Sequence, residues 1–339
     1  MSLLPGCQPG KLRKGHDSIR QALIRIDASL YDSIPSLKAT VVITTRNRKD
    51  DLRRALKSVS TQDVPVEVLV VDDCSTDGTV AMVVNEFPSI RIETSSLRQG
   101  YIVQRNRAAR LAQGEVIISI DDDAEFSTPR IVRQTLAEFD HPRIAAILIP
   151  HSDVLISPWL KTPEPPGPGK WVVASYVGTT HAVKRDVFLR LGGYREALQH
   201  NTEERDFCIR LLNAGYVVCL GSADPVHHYV SPMRDAWQNR VLERRNDLLH
   251  TLLNVPWPHV LYHLPGTILN GLFFGLRSRC LPQTVQGYGK GVRACWQFRA
   301  ERNPVAGNIY RLNRGLCRKR LMRLENVEKQ LGPIGVDQG

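Results

Sequence analysis

The chain has 339 residues, of which 42% are hydrophobic and 23% charged, values that are ordinary for a soluble globular protein. This length accommodates one large α/β domain, or a domain with an appendage. No stretch reaches the roughly 18 uncharged apolar residues of a membrane-spanning helix, and residues 1–30 lack the apolar core of a secretory signal. The seven cysteines form no CxxC pair and no zinc-ligand spacing. We therefore expect reduced thiols and a cytoplasmic location.

The net charge of +11 is concentrated near the C-terminus. Between Arg277 and Arg323 the sequence has ten arginines and two lysines but a single acid, Glu301, so the rest of the chain is close to neutral. Such a basic segment favours an anionic partner, which could be a membrane leaflet, a lipid diphosphate or nucleic acid. A solvated basic face without a partner would give the same pattern.

In chain order, residues 1–37 carry little periodic signal and are interpreted as an N-terminal arm. From residue 39, short apolar runs typical of buried strands alternate with segments that repeat apolar residues at helical spacing. The strands are predicted at 39–45, 66–71, 90–94 and 116–120, and the helices at 47–60, 79–87 and 101–112. This alternation predicts an α/β fold with a doubly wound, mostly parallel, Rossmann-like sheet.

The downstream elements are predicted from shorter patterns. We expect helices at 128–139, 185–191, 203–214 and 237–254, strands at 144–150 and 217–220, a strand pair formed by 170–177 and 179–183, and a proline-rich loop at 157–170. Residues 257–276 are largely apolar but too interrupted by proline and polar residues to span a bilayer. This segment could lie in a membrane interface, backed by the basic segment that follows, or pack on the core.

Acidic residues directly follow two of the predicted strands. Asp72 and Asp73 end the second strand, and Asp121, Asp122 and Asp123 end the fourth. Because parallel strands share a carboxyl edge, where open α/β sheets bind ligands, both sets should lie together. Clustered carboxylates repel one another, and a hard divalent metal such as Mg²⁺ or Mn²⁺ would relieve that repulsion. The pattern favours a nucleotide-diphosphate site over a solvated acidic turn.

Ordered motifs within roughly residues 40–230 resemble those of family 2 glycosyltransferases, which are inverting enzymes with the GT-A fold. The motifs are Val41-Val-Ile-Thr-Thr-Arg-Asn47, Val70-Val-Asp-Asp-Cys-Ser-Thr-Asp-Gly-Thr79, Arg105-Asn-Arg-Ala108, the segment 114–123, and Gly192-Gly-Tyr194 followed by Glu203-Glu-Arg-Asp206. The set is specific although each motif alone is weak, and the second is the most telling. The resemblance implies transfer of a sugar from a nucleotide-diphosphate donor to a hydroxyl acceptor.

The resemblance implies a nucleotide site around the first three motifs. Thr44 and Arg46 would border the base, and Asp73 would accept a hydrogen bond from a base ring N–H, as uracil or thymine offers. Arg105 would make a further contact near the nucleotide. The expected donors are UDP-, dTDP- or GDP-sugars, and the expected acceptor is a glycan or a lipid-linked precursor.

The resemblance also implies that Mn²⁺ or Mg²⁺ bridges the two phosphates of the donor. Asp123 would bind the metal, while Asp121 or Asp122 would contact the ribose or the metal's water shell; Asp121 is also a candidate metal ligand. GT-A enzymes bring a histidine to the metal, which suggests His227 or His228 as a further ligand. Adjacent residues of an extended segment face opposite ways, so at most one should bind, and His228 is preferred.

An acidic group at the start of the helix at 203–214 supplies candidates for the catalytic base. Inverting transfer needs a base to take the acceptor hydroxyl's proton, and a carboxylate whose pKa is raised by partial burial would serve. The family places this base on the second acid of an acidic pair, which is Glu204 here. Asp206 is the rival. The two lie about 200° apart around a helix, so both cannot point into one pocket, and Asp206 precedes Arg210 by the spacing of an intrahelical ion pair.

These assignments divide the chain into the arm at 1–37, a GT-A catalytic domain at 38–235, and a basic helical region at 236–339 that could associate peripherally with a membrane surface. A sugar-nucleotide pyrophosphorylase is one alternative, but it should carry a glycine-rich loop after the first strand, and residues 45–49 contain no glycine. A non-enzymatic nucleic-acid or membrane binder that uses the basic region is another. It would leave the acids at the strand ends without a purpose, and we expect no nucleic-acid partner.

Overall fold

The computed structural model of the protein describes residues 37–157, 159–230 and 236–334. Apart from Leu37, the predicted arm at 1–37 lies outside these ranges, and its interpretation stays a prediction. The strands are β1 (Ala39–Thr45), β2 (Glu67–Asp72), β3 (Arg91–Thr94), β4 (Val116–Ile120), β5 (Ala124–Phe126), β6 (Ile144–Leu148), β7 (His151–Asp153), β8 (Trp171–Val173), β9 (Thr180–Lys184), β10 (Val217–Leu220), β11 (Val226–His228) and β12 (Met322–Arg323). The helices are α1 (Lys49–Val59), α2 (Thr79–Glu86), α3 (Tyr101–Leu111), α4 (Ile131–Ala137), α5 (Arg185–Arg190), α6 (Glu203–Asn213), α7 (Ala236–Asn254), α8 (Val260–Arg277), α9 (Leu281–Gln297), α10 (Gly307–Lys319) and α11 (Leu324–Glu328).

Four parallel strands form one half of the main sheet. β1 lies between β2 and β4, and β3 pairs with β2, which gives the order β3-β2-β1-β4. Val42 and Ile43 face opposite sides of β1 and are both buried, so both faces of the sheet are covered. This parallel order brings the carboxyl ends of β1, β2 and β4 to one edge. The predicted α/β class and doubly wound sheet are confirmed.

Antiparallel strands extend the sheet to the full order β12-β8-β10-β6-β9-β4-β1-β2-β3. β9 runs antiparallel between β4 and β6, whereas β6 and β10 are parallel. Of the predicted strand pair at 170–177 and 179–183, only a single antiparallel bridge between Val177 and Thr180 forms, because β8 pairs with β10 and β12 while β9 pairs with β4 and β6. The apolar runs indicate both strands, but their partners are distant in sequence and leave no local signal.

A second sheet of three short strands, in the order β5-β11-β7, lies beyond the carboxyl end of β4. β11 is its central strand, antiparallel to β5 and parallel to β7. The register places His228 beside Ala124 on one side and beside Asp153 on the other. This small sheet therefore brings a histidine from residue 228 next to the acids that follow β4.

The C-terminal helices pack closely through glycines. A Cβ on Gly287 would lie 2.6 Å from the carbonyl oxygen of Val241, and one on Gly291 would lie 3.1 Å from that of Arg245. Only residues without a side chain therefore allow α9 to approach the backbone of α7 this closely. Within the described ranges, no helix combines the length and the apolar character needed to cross a membrane.

A buried ion pair joins α6 to the segment before it and to α7. Asp206 Oδ1 accepts hydrogen bonds from Arg195 Nη1 at 2.7 Å and from Asn254 Nδ2 at 2.7 Å, and its Oδ2 accepts one from Arg210 Nε at 3.0 Å. The Asp206 side chain is 0% exposed. Burial alone would raise the pKa of Asp206, but Arg210 and Arg195 outweigh it and lower the pKa. Asp206 therefore carries a paired charge in the packing that holds α6 in place.

We expect Asp206→Asn to lower the free energy of unfolding by about 3 kcal/mol, because it leaves two largely buried arginines without their carboxylate. The loss should be full above the ordinary carboxyl pKa and should shrink as pH falls through the lowered pKa of Asp206, where the wild type also loses this charge. Urea unfolding at several pH values measures both effects. Asp186→Asn, on an exposed carboxylate 3.6 Å from Arg190, is the control and should change stability by less than about 0.5 kcal/mol. Equal stability of the two variants would contradict the assignment.

Candidate functional site

Thr45, the last residue of β1, joins the two sets of strand-end acids. Its carbonyl oxygen accepts a hydrogen bond from the Asp73 backbone N–H at 2.9 Å, and its hydroxyl donates to Asp122 Oδ2 at 2.8 Å. Asp73 follows β2 and Asp122 follows β4, so the central strand β1 contacts both. The two acid sets therefore share one edge of the sheet, as the parallel order requires.

Arg48, at the start of α1, neutralises part of the acid cluster. Its Nη1 lies 2.9 Å from Asp122 Oδ1 and 3.0 Å from Asp123 Oδ2. Burial raises the pKa of Asp122 to about 7, and the charge of Arg48 opposes that rise. Asp122 is thus held by Thr45 and Arg48, whereas the Asp121 side chain is 25% exposed at the rim of the cluster.

Asp121, Asp123 and His228 form the arrangement in the described chain that could hold a metal ion. One ligand atom from each residue lies within 4.8 Å of the others, and His228 Nε2 is 3.2 Å from Asp123 Oδ1. Two carboxylates and one imidazole form a donor set that suits Mn²⁺, and the carboxylates also suit Mg²⁺. His227 alternates to the other side of β11 and is less buried than His228. The donor set is therefore chemically suited to a divalent ion.

Asp153, at the end of β7, orients this histidine. Its Oδ1 is 2.7 Å from His228 Nδ1, so His228 lies between the carboxylates of Asp153 and Asp123. Burial disfavours the protonated ring, but the hydrogen bonds to Asp123 and Asp153 outweigh burial and raise the pKa of His228. A carboxylate behind a histidine is the usual way to fix the ring that faces a metal.

The Asp73 carboxylate is hydrogen-bonded to the segment that follows β3. Its carboxylate accepts hydrogen bonds from the backbone N–H groups of Gln99 and Gly100 at 2.8 and 2.9 Å, and from Gln104 Nε2 at 2.7 Å. Asp73 is buried, while Thr44 is half-buried and Arg46 is exposed at the same end of β1. The contact of Asp73 to a nucleotide base stays a prediction, and its observed role is to hold the loop before α3.

Arg105 on α3 connects the metal candidates to the acids of α6. Its Nη2 donates to Asp121 Oδ1 at 2.8 Å and to the carbonyl oxygen of Gly178 at 2.9 Å. Its Nη1 lies 3.6 Å from Glu203 Oε1 and 3.9 Å from Glu204 Oε1. The Arg105 side chain is only 7% exposed. Its charge therefore acts on three carboxylates from two distant segments.

The three acids at the start of α6 lie in different surroundings. Glu203 is fully buried, Glu204 has a side chain that is 18% exposed, and Asp206 is held by Arg195 and Arg210 on another face of the helix. Burial and the neighbouring charge of Glu203 raise the pKa of Glu204 well above its ordinary value, against the effect of Arg105.

Gly178 shapes the space beside Glu204. A Cβ at this position would lie 2.4 Å from Glu204 Oε1. The missing side chain lets the Glu204 carboxylate reach the backbone beside Arg105, so Glu204 faces the same group as Asp121.

Two residues of the site are not indicated by the sequence patterns. Arg48 precedes a helix and carries no motif of its own, and Asp153 lies in a short strand whose register with β11 is set by pairing between distant segments. A search for cations beside the strand ends could have indicated Arg48. No local pattern indicates Asp153.

Part of the chain is similar to a known protein family. Residues 40–190 match the model of the family named "Glycosyl transferase family 2". An uncharacterized glycosyltransferase of Haemophilus influenzae is 26% identical over 182 residues, which are 51% of this chain and 61% of that protein. The poly(ribitol-phosphate) beta-N-acetylglucosaminyltransferase TarS of Staphylococcus aureus is 31% identical over 126 residues, 35% of this chain and 20% of TarS. The chain thus spans less than two thirds of these relatives.

Solved structures share the fold at low sequence identity. TarS 1-349 from S. aureus in complex with UDP-GlcNAc has a TM-score of 0.57 and 18% identity, covering 86% of this chain and 91% of that one. The mannosyltransferase PcManGT from Pyrobaculum calidifontis, in complex with GDP-Man and Mn²⁺, has a TM-score of 0.52 and 20% identity over 76% of both chains. Residues 40–190, somewhat less than half of the chain, are thus similar to glycosyltransferase family 2, and the chain shares the GT-A fold of these solved structures.

Proposed function

We propose that this protein is a metal-dependent glycosyltransferase that moves a sugar from a nucleotide-diphosphate donor to a hydroxyl acceptor with inversion. The observation that carries the proposal is the connection of two acidic groups through Arg105. On one side lies Asp121, with Asp123 and His228 close by, and on the other lie Glu203 and Glu204. One group suits a donor diphosphate with its cation, and the other suits an acceptor hydroxyl.

Asp121, Asp123 and His228 would hold Mn²⁺ or Mg²⁺. Such an ion supplies electrostatic stabilisation of the negative charge on a departing nucleoside diphosphate. The imidazole of His228 favours Mn²⁺, because Mg²⁺ prefers oxygen ligands and retains its waters. The complexes of PcManGT with GDP-Man and Mn²⁺ and of TarS with UDP-GlcNAc support a nucleotide sugar as the donor.

Glu204 is the proposed base. Its side chain is partly open to solvent, and its raised pKa makes its carboxylate a stronger base than an ordinary glutamate while Arg105 still favours the charged form. Asp206 is less suited, because it is fully buried, it is paired with two arginines, and its pKa is lowered. Glu204 would take the acceptor proton as the acceptor oxygen attacks the anomeric carbon.

The nucleotide would lie along the carboxyl ends of β1, β2 and β4. Thr44 and Arg46 remain the proposed neighbours of the base at the end of β1. Asp73 would contact the base while it holds the loop that contains Gln99 and Gly100. Asp122, fixed by Thr45 and Arg48, would face the ribose or the water shell of the cation.

The proposed acceptor and compartment follow from the C-terminal helices and from the cysteines. The exposed apolar and basic residues of α8 to α10 support an acceptor such as a glycan or lipid-linked precursor at an anionic membrane surface. The six cysteines of the described chain are free thiols, which supports a reducing, cytoplasmic compartment.

A thermal-shift panel of UDP-, GDP-, dTDP- and CMP-sugars, with and without Mn²⁺, tests the donor and the cation together. One donor class should stabilise the protein only with Mn²⁺, by about 2.7 kcal/mol at a hundred times its Kd. Asp123→Asn should abolish this shift because it weakens a metal-binding carboxylate. Asp50→Asn, on an exposed carboxylate, should retain it. A nucleotide sugar that stabilises the Asp123→Asn variant as well as the wild type would refute the metal assignment.

Asp153→Asn should weaken Mn²⁺ binding about 10- to 100-fold, because the His228 ring loses the carboxylate that orients it. Isothermal titration of Mn²⁺ in the presence of a bound nucleotide measures this change. Lys161→Gln is the matched control, since Lys161 Nζ lies 3.6 Å from Asp153 Oδ2, whereas the histidine ring is hydrogen-bonded to Asp153 Oδ1. Equal Mn²⁺ affinity in Asp153→Asn and wild type would remove Asp153 from the site.

Glu204→Gln should lower kcat for transfer, or for donor hydrolysis, by at least about a hundredfold and leave the Kd of the donor unchanged. In the wild type, kcat/KM should rise with pH through the raised pKa of Glu204, because only the carboxylate can accept the proton. Glu203→Gln should move this rise to lower pH, since the charge that raises the pKa of Glu204 is gone. Normal turnover by Glu204→Gln would show that another group is the base.

A further inference from the structure

The surface of α8 carries a stripe of exposed apolar side chains. Tyr262, Leu269, Phe273 and Leu276 follow one another at spacings of seven, four and three residues and are 60%, 65%, 67% and 63% exposed. These spacings place all four on one face of the helix. The opposite face carries Gly271 and Gly275, which are buried, so the stripe points away from the helices that α8 packs on.

A basic cleft of about 430 Å³ flanks this stripe, between α8 and α10. Arg311, Arg314 and Arg318 line it from α10, where spacings of three and four residues put them on one face. All three are exposed, and within the described ranges no carboxylate forms an ion pair with them. The cleft therefore presents three positive charges that are available to an anion from outside the described chain.

The stripe and the cleft share a boundary. Tyr262 belongs to the stripe and also lines the cleft, next to His263. His263 Nδ1 is 2.8 Å from the Tyr310 hydroxyl, which ties the α8 wall to the α10 wall. An apolar face beside a cluster of arginines, with a tyrosine at the boundary, matches the lipid–water interface, where apolar side chains meet acyl chains and cations meet phosphates.

We propose that this face is a docking surface for an anionic phospholipid membrane. The stripe of α8 lies in the interface, and the arginine cleft takes the phosphate of a lipid headgroup. The balance of charge supports this partner, because the segment from Arg277 to Arg323 has twelve basic residues against one acid. The proposal does not depend on the glycosyltransferase activity, since the docking surface and the acidic site share no residue.

Vesicle flotation of the full chain tests the proposal. Wild type should bind phosphatidylcholine vesicles that contain phosphatidylglycerol and should not bind phosphatidylcholine alone. The triple variant R311Q/R314Q/R318Q should bind on the order of a hundredfold more weakly at low salt, because each basic residue near an anionic surface contributes roughly fivefold. The matched control K57Q/R110Q/K329Q removes the same charge from exposed positions elsewhere and should keep nearly all of the binding.

The apolar half is tested by L269S/F273S, with V84S/L97S as the control on exposed positions outside α8. Only the first pair should lose vesicle binding.

Failure of the wild type to bind anionic vesicles, or an equal loss in both triple variants, overturns the proposal. If inorganic phosphate or an oligonucleotide displaces the protein from vesicles while L269S/F273S still binds, the cleft serves a soluble anion or nucleic acid. If L269S/F273S only converts a dimer to a monomer in sedimentation, the stripe is a contact between copies of the chain.

Discussion

The buried guanidinium of Arg105 is the interaction on which the site depends. A buried charge is costly unless it is paired, and Arg105 is paired with carboxylates that arrive from two distant parts of the chain. Asp121 follows β4, while Glu203 and Glu204 begin α6, more than eighty residues later. The guanidinium also binds the carbonyl oxygen of Gly178, which fixes its orientation. The two halves of the site are therefore coupled through one side chain rather than through a continuous backbone element.

The first turn of α6 shows how neighbouring acids on one helix can lie in different surroundings. Glu203, Glu204 and Asp206 lie within four residues, yet one is enclosed, one reaches the rim, and one is neutralised by two arginines. Rotation by about 100° per residue is enough to give them different neighbours. Burial raises the pKa of Glu204, and the charge of Glu203 adds to the rise, whereas Arg210 and Arg195 outweigh burial and lower the pKa of Asp206.

Much of the parallel half of the fold could be predicted, because apolar runs and helical spacing are local properties of the sequence. The general rule for parallel strands predicts that the acids after β2 and β4 lie at one edge of the sheet. Thr45 connects them there, because it is hydrogen-bonded to both Asp73 and Asp122. The pairing of β8 and β9 with distant strands, and the contributions of Arg48 and Asp153, are not indicated by the sequence. These features depend on which distant segments meet, and a single sequence does not record that choice. Arg105 belongs to a sequence motif, but only the tertiary structure shows that it links Asp121 to α6.

The register of the three-stranded sheet determines whether His227 or His228 faces the acidic cluster. Side chains alternate along β11, so a slip of one residue against β5 and β7 would turn His228 outward and present His227 to the acids instead. The main-chain hydrogen bonds of this small sheet thus determine which of the two histidines faces the acids, a choice that two identical side chains cannot make. A mutation that shifted this pairing by one residue would therefore separate His228 from Asp121 and Asp123, even with every acid and histidine retained.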